Sequence, residues 1–162
     1  RRFAEEMESR LGVPVRPAPS VEEAVRGADI VSVATPSRRA FIMAGWIAPG
    51  AHINAMGADS PGKQELDPAI LTKARIIADS VDQALVYGEV QTAVRDGLLD
   101  KKKILGHIGQ VVAGLLPGRA GPEEITVFDG TGLALEDAAV AYMAHNKARA
   151  ARDGSYQTVS LF

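Results

Sequence analysis

Ala51-His52-Ile53-Asn54-Ala55-Met56-Gly57-Ala58-Asp59-Ser60-Pro61-Gly62-Lys63-Gln64-Glu65-Leu66 decides how this chain is read. Up to Gly57 it is a largely apolar run of strand length. It then breaks into a glycine-bounded loop with one carboxylate, Asp59. Three further runs have the same form. Residues 29–35 are rich in β-branched side chains and stop at Pro36, which cannot continue a central ladder. Residues 75–80 end in Asp79-Ser80, and residues 124–129 run into Gly130-Thr131-Gly132.

Helical patterns separate these runs. Phe3, Met7 and Leu11 share one helical face, and Gly12 stops that segment. Ser20 and Glu23 form a capping box for a short helix ending near Gly27. Asp67-Pro68 starts a helix through Ile70 and Leu71 to Ala74, with Asp as cap and Pro in the first position. Residues 81–96 repeat at helical spacing with a weak point at Gly88, and 104–116 read as an apolar helix stopped by Pro117-Gly118. A long helix is expected over about 133–152, with Leu133, Leu135, Ala139, Val140 and Met143 as core. Val13-Pro14-Val15 is a short extended piece, and 40–47 is ambiguous, a short helix with Trp46 inward being one reading. Beyond Gly154 no pattern is legible, although Val159, Leu161 and Phe162 are apolar.

Strands alternating with helices predict an α/β fold, a parallel sheet with both faces covered. Right-handed crossovers then put every strand's carboxyl end on one edge, where ligands bind in such sheets. That edge collects Thr35-Pro36-Ser37, Gly57-Ala58-Asp59-Ser60, Asp79-Ser80 and Asp129-Gly130-Thr131-Gly132.

Composition narrows the function. The chain has 162 residues, 46% hydrophobic and 23% charged, with a net charge of -2. That is a globular balance, and it predicts neither a nucleic-acid nor a membrane-surface binder. No apolar run reaches membrane-spanning length. The absence of cysteine excludes disulfide and thiol chemistry and fits a reducing cytoplasm. His52, His107 and His145 lack ligand spacing, so no metal site is expected.

The loop from Gly57 to Lys63 has the spacing of a phosphate-binding loop, but Gln64 replaces the hydroxyl that meets magnesium. Pro61 removes an N–H, and no helix starts until Asp67-Pro68. Asp59 reads either as a general base at a strand end or as a turn residue capping its own loop. Gly130-Thr131-Gly132 reads either as a ligand approach to a helix start or as a tight turn. No G-x-G-x-x-G follows a strand. Either there is no dinucleotide site, or the first half of such a domain is missing.

Three motifs together carry a resemblance: Ile53 to Leu66, the run from Ala28-Asp29-Ile30-Val31 to Thr35-Pro36, and Val127-Phe128-Asp129-Gly130-Thr131-Gly132-Leu133-Ala134-Leu135-Glu136-Asp137. Over about residues 1–150 the chain resembles the ornithine cyclodeaminase/mu-crystallin family. The resemblance implies a Rossmann-like sheet without its pyrophosphate-binding half over 1–130. It also implies a C-terminal helix and tail, 131–162, returning toward a dimerisation domain. It implies a homodimer that uses NAD(P)H on a small amino or imino acid, as ornithine cyclodeaminase or cyclic imine reductase. A cofactor-and-ligand binding protein or an inactive fragment remain alternatives. Ala34, Thr35 and Pro36 match the segment under the nicotinamide ribose. Met56 and Gly57 match positions at the ring, and Asp59 the aspartate acting on substrate amine or water. Gly130 stands where many members have serine, a contact that Thr131 would have to supply.

Overall fold

The computed structural model describes residues 2–151. They fall into two compact units, divided between residues 131 and 132. The first is built on a five-stranded, wholly parallel sheet. Its strands are β1 (Ile30–Val33), β3 (His52–Ala55), β5 (Arg75–Ala78), β6 (Ile104–His107) and β7 (Thr126–Asp129), in the order β1-β3-β7-β5-β6. A second, two-stranded parallel sheet pairs β2 (Arg38–Ile42) with β4 (Gln64–Leu66). The helices are α1 (Arg2–Leu11), α2 (Val21–Val25), α3 (Pro68–Lys73), α4 (Val81–Tyr87), α5 (Val90–Arg95) and α6 (Ile108–Val112), with α7 (Ala134–Ala151) in the second unit.

The register shows why these strands sort as they do. Val31, Ile53, Val127, Ile76 and Ile104 stand side by side across all five strands. All are buried on one face, with Ile42, Leu66, Ile70, Leu71, Val90 and Ala93 packed in the same core. Each such side chain contributes roughly 1.5–3 kcal/mol of burial, so a one-residue slip of any strand would exchange core for solvent face. The opposite face is more open. It carries Ile30, exposed, and a polar chain in which Asn54 donates to Ser32, His52 bonds Asn54 and Thr126, and Arg119 donates to Thr126. Ile108 and Val111 of α6 stand over this face around a cavity of about 330 Å³. Helices cover the sheet as expected, and the buried apolar cluster lies on the face of Val31 and Ile53.

The four strand runs and the helix starts at Ser20 and Asp67-Pro68 stand as read. Ser20 accepts from Glu23 N–H at 3.2 Å, and Asp67 from Ala69 N–H at 2.9 Å. Other readings change. Residues 104–116 open as a strand, because Ile104 and Gly106 point inward while Leu105 and His107 point out, a period of two. The helix over 81–96 is two helices broken at Gly88. Residues 40–47 divide between β2 and a single 3₁₀ turn, Ala44–Trp46, with Trp46 against the core. The helix α1 forms as expected, yet Phe3 and Leu11 are exposed and only Ala4 is buried. In α7, Leu135, Val140 and Met143, expected as core, are exposed. Among the described residues of its own unit no other helix or strand covers them. The tail beyond Gly154, with Val159, Leu161 and Phe162, lies outside the described residues.

Candidate active site

Strands β1, β3 and β7 are neighbours, so their carboxyl ends meet. The parallel ladder runs one step past each strand: Met56 N–H donates to Val33 C=O, Gly130 N–H to Ala55 C=O, and Asp79 N–H to Asp129 C=O. This brings Ala34-Thr35-Pro36, Met56-Gly57 and Gly130-Thr131 to one edge. Ala34, Pro36 and Met56 are exposed there, while Thr35 is half-buried and Gly57, Gly130 and Thr131 are buried.

Packing explains both glycines. A Cβ on Gly130 would meet Met56 Sδ at 2.6 Å, so the missing side chain lets Met56 lie across the end of β7. A Cβ on Gly57 would meet the Glu65 carboxyl carbon at 2.5 Å. Thr131 turns inward, its N–H and hydroxyl both donating to the Asp79 carboxylate at 2.7–3.1 Å.

Asp59 sits in the loop after Gly57, exposed. Its Oδ1 accepts from Lys63 Nζ at 2.5 Å and from the Ser60 hydroxyl at 3.1 Å. Those two hydrogen bonds, Lys63 first, hold its carboxyl below the usual aspartate range. The loop is pinned from beneath. Gln91 Oε1 accepts from Gly62 N–H at 2.8 Å, Gln91 Nε2 donates to Ser60 C=O at 3.1 Å, and Arg38 donates to Pro61 C=O at 3.0 Å. The chain then enters β4, not a helix, which disposes of a triphosphate-binding loop.

Two buried glutamates beneath the edge escaped the sequence reading, and with Asp129 they form a row of carboxylates. Glu65 accepts from Thr35 N–H and Gly57 N–H. Glu89 accepts from Glu65 N–H and Leu66 N–H. Asp129 accepts from Glu89 N–H and Val90 N–H. Burial pushes Glu89 up to about 8 and Asp129 up to about 7, with neighbouring carboxylates adding to the rise. Asp129 was marked only by ending the apolar run of β7, and Glu65 and Glu89 carried no local signal. The oxygens of these groups face N–H donors, not a cation. Among the described residues no three His, Cys, Asp or Glu gather in a way that would hold a metal ion.

A parallel α/β sheet whose glycine-rich strand ends share one edge is of the Rossmann-like, cofactor-binding class. The chain belongs to the ornithine cyclodeaminase/mu-crystallin family, whose model matches residues 1–152. It is 45% identical over 156 residues to the alanine dehydrogenase of Archaeoglobus fulgidus, covering 96% of this chain and 47% of that protein. The structure of an archaeal alanine dehydrogenase dimer with bound NAD superposes with a TM-score of 0.87 at 43% identity, covering 99% of this chain and 49% of that one. The Thermococcus litoralis Delta(1)-pyrroline-2-carboxylate reductase, in complex with NADH and L-proline, gives 0.89 at 34% identity, covering 96% and 49%. The chain spans about half the length of the curated relatives it matches. No helix among the described residues is long and apolar enough to cross a membrane.

Proposed function

We propose that this chain forms the nicotinamide side of an NAD(P)-dependent enzyme that acts on a small amino or imino acid. The observation that carries the reading is the shared edge of β1, β3 and β7. There, exposed Ala34 and Pro36 with half-buried Thr35, and Met56 lying over Gly130, leave an apolar platform beside a loop bearing a carboxylate. Such a platform fits a flat ring, and a thioether makes favourable contact with one. When bound, the nicotinamide supplies or accepts the hydride.

The chain's own residues do the rest. Met56 shapes the apolar surface. Lys63 and Ser60 hold Asp59 as a fixed anion at neutral pH, so its second oxygen can accept a hydrogen bond from a substrate ammonium or a water and orient it for proton transfer. Gln91 and Arg38 keep the loop from moving. Dehydrogenase and reductase relatives favour plain amine oxidation or imine reduction; cyclisation of ornithine to proline with loss of ammonia uses the same first hydride step. The dimeric relative supports a homodimer.

The test is fluorescence of NADH or NADPH bound to the whole protein, followed on adding a cyclic imine such as Δ1-pyrroline-2-carboxylate, or pyruvate with ammonia. Oxidation of the cofactor is expected. Asp59→Asn should lower turnover about a hundredfold or more, the usual scale for a lost proton-transfer group. Tight binding without oxidation of either cofactor would make it a binding protein, and full activity in D59N would remove Asp59 from the chemistry.

A further inference from the structure

We propose that Glu65 is the positioning residue of this edge: its buried carboxylate bridges Thr35 N–H and Gly57 N–H and so fixes the spacing between the ends of β1 and β3 on which the nicotinamide would rest. The inference rests on the proposed cofactor side and adds a residue to it.

The ladder between β1 and β3 ends at the bond from Met56 N–H to Val33 C=O. Beyond that point parallel strands are free to splay. Glu65 takes over there, with Oε1 2.6 Å from Thr35 N and Oε2 3.0 Å from Gly57 N. Its exposure is 0%, so it cannot meet substrate or water directly. Both oxygens are spent on backbone donors, one from each strand. Gly57 leaves the space the carboxylate fills.

Glu65 is itself held. Its N–H donates to Glu89, and the Glu89 N–H donates to Asp129 at the end of β7. Three buried acids thus tie three adjacent strand ends, each gripping the main chain of the next. Among the described residues neither Glu65 nor Glu89 takes part in a salt bridge. Burying a carboxyl group against N–H dipoles alone is costly where an apolar contact would serve stability as well. What a carboxylate adds is two short, charge-assisted bonds at a fixed bite, and hence a fixed distance between two backbones. Gly57 is two residues before Asp59, so the same clamp sets where the proton-handling loop departs.

The test compares wild type with Glu65→Gln in the whole protein. Glutamine keeps the size but turns an NH₂ group toward one of the two N–H donors. Amide exchange at Thr35 or Gly57 should quicken at least about tenfold, and the Kd for NADH or NADPH should rise about tenfold, the scale of one charged hydrogen bond lost. Ile70→Val, a core change away from this edge, serves as control; it should lower thermal stability with an unchanged Kd. Faster exchange with an unchanged Kd would make Glu65 merely structural and overturn the proposal, as would exchange and Kd both at wild-type values. If E65Q does not fold, wild type decides: saturation with cofactor should slow exchange at Thr35 and Gly57, and no slowing overturns the claim. A wild type that binds neither cofactor would defeat the proposed function and this role with it. Failure of the positioning claim alone shows normal wild-type binding and an indifferent E65Q.

Discussion

Glu89 allows stability to be predicted from a single buried group. Its exposure is 0%, and burial pushes it from 4.5 up to about 8. Between those values the folded carboxyl keeps a proton that the unfolded one has released. The native state then binds more protons, so stability must fall as pH rises through that window, the loss being complete above about pH 8. At about 1.4 kcal/mol per pH unit the gap is worth on the order of 5 kcal/mol, an upper bound for a group that water can reach on relaxation. Asp129, pushed up to about 7, acts with the same sign. Glu89→Gln removes one of these titrations and keeps the size of the side chain, giving up only the second contact of Glu65 N–H, with Oε2 at 3.0 Å. One oxygen, Oε1, already lies 3.0 Å from Glu65 N and 2.6 Å from Leu66 N, so an amide oxygen in its place accepts both bonds. Urea unfolding of both proteins at pH 5 to 9 and constant ionic strength measures the effect. E89Q should gain on wild type by at least about 2 kcal/mol between the two ends, in keeping with that bound. Parallel curves for the two proteins would mean that Glu89 is ionised throughout, and would refute the reasoning.

Two other perturbations follow from the same geometry. Gly88→Ala should destabilise by about 3 kcal/mol through overpacking, since its Cβ would lie 2.6–2.7 Å from the Asp129 oxygens and 2.8 Å from Ala84 Cα. Calorimetry of the variant checks this. Lys63→Met removes the first cause of the low Asp59 pKa, so the acid limb of the pH–kcat/KM profile should move to higher pH; an unmoved limb would mean that Asp59 does not set it.

The sequence announced the strands that matter because their apolar runs stop at unmistakable punctuation: Pro36, Gly57, Asp79-Ser80 and Gly130. It also put the chain at Thr35, Gly57 and Gly130 on one edge, because a parallel sheet gathers its carboxyl ends whatever the family. The second sheet was not legible. Arg38–Ile42 and Gln64–Leu66 are short and become strands only by pairing with each other across more than 20 residues of chain. Ile104–His107 hid for a similar reason: four residues of strand followed at once by α6 look like one interrupted helix. The buried acids were illegible in a deeper sense. Nothing local distinguishes Glu65 or Glu89 from a surface glutamate, because their partners are main-chain N–H groups of distant segments. The apolar residues of α7 were read as core from their type alone; in the described structure they face outward.

Backbone amide shifts of the whole protein, recorded as NADH or NADPH is added, test the central claim most directly. The account predicts that the largest changes fall at Thr35, Met56, Gly57 and Gly130, the carboxyl ends of β1, β3 and β7. Changes centred on Ile30, His52 and Arg75, at the amino ends of the same sheet, would contradict it.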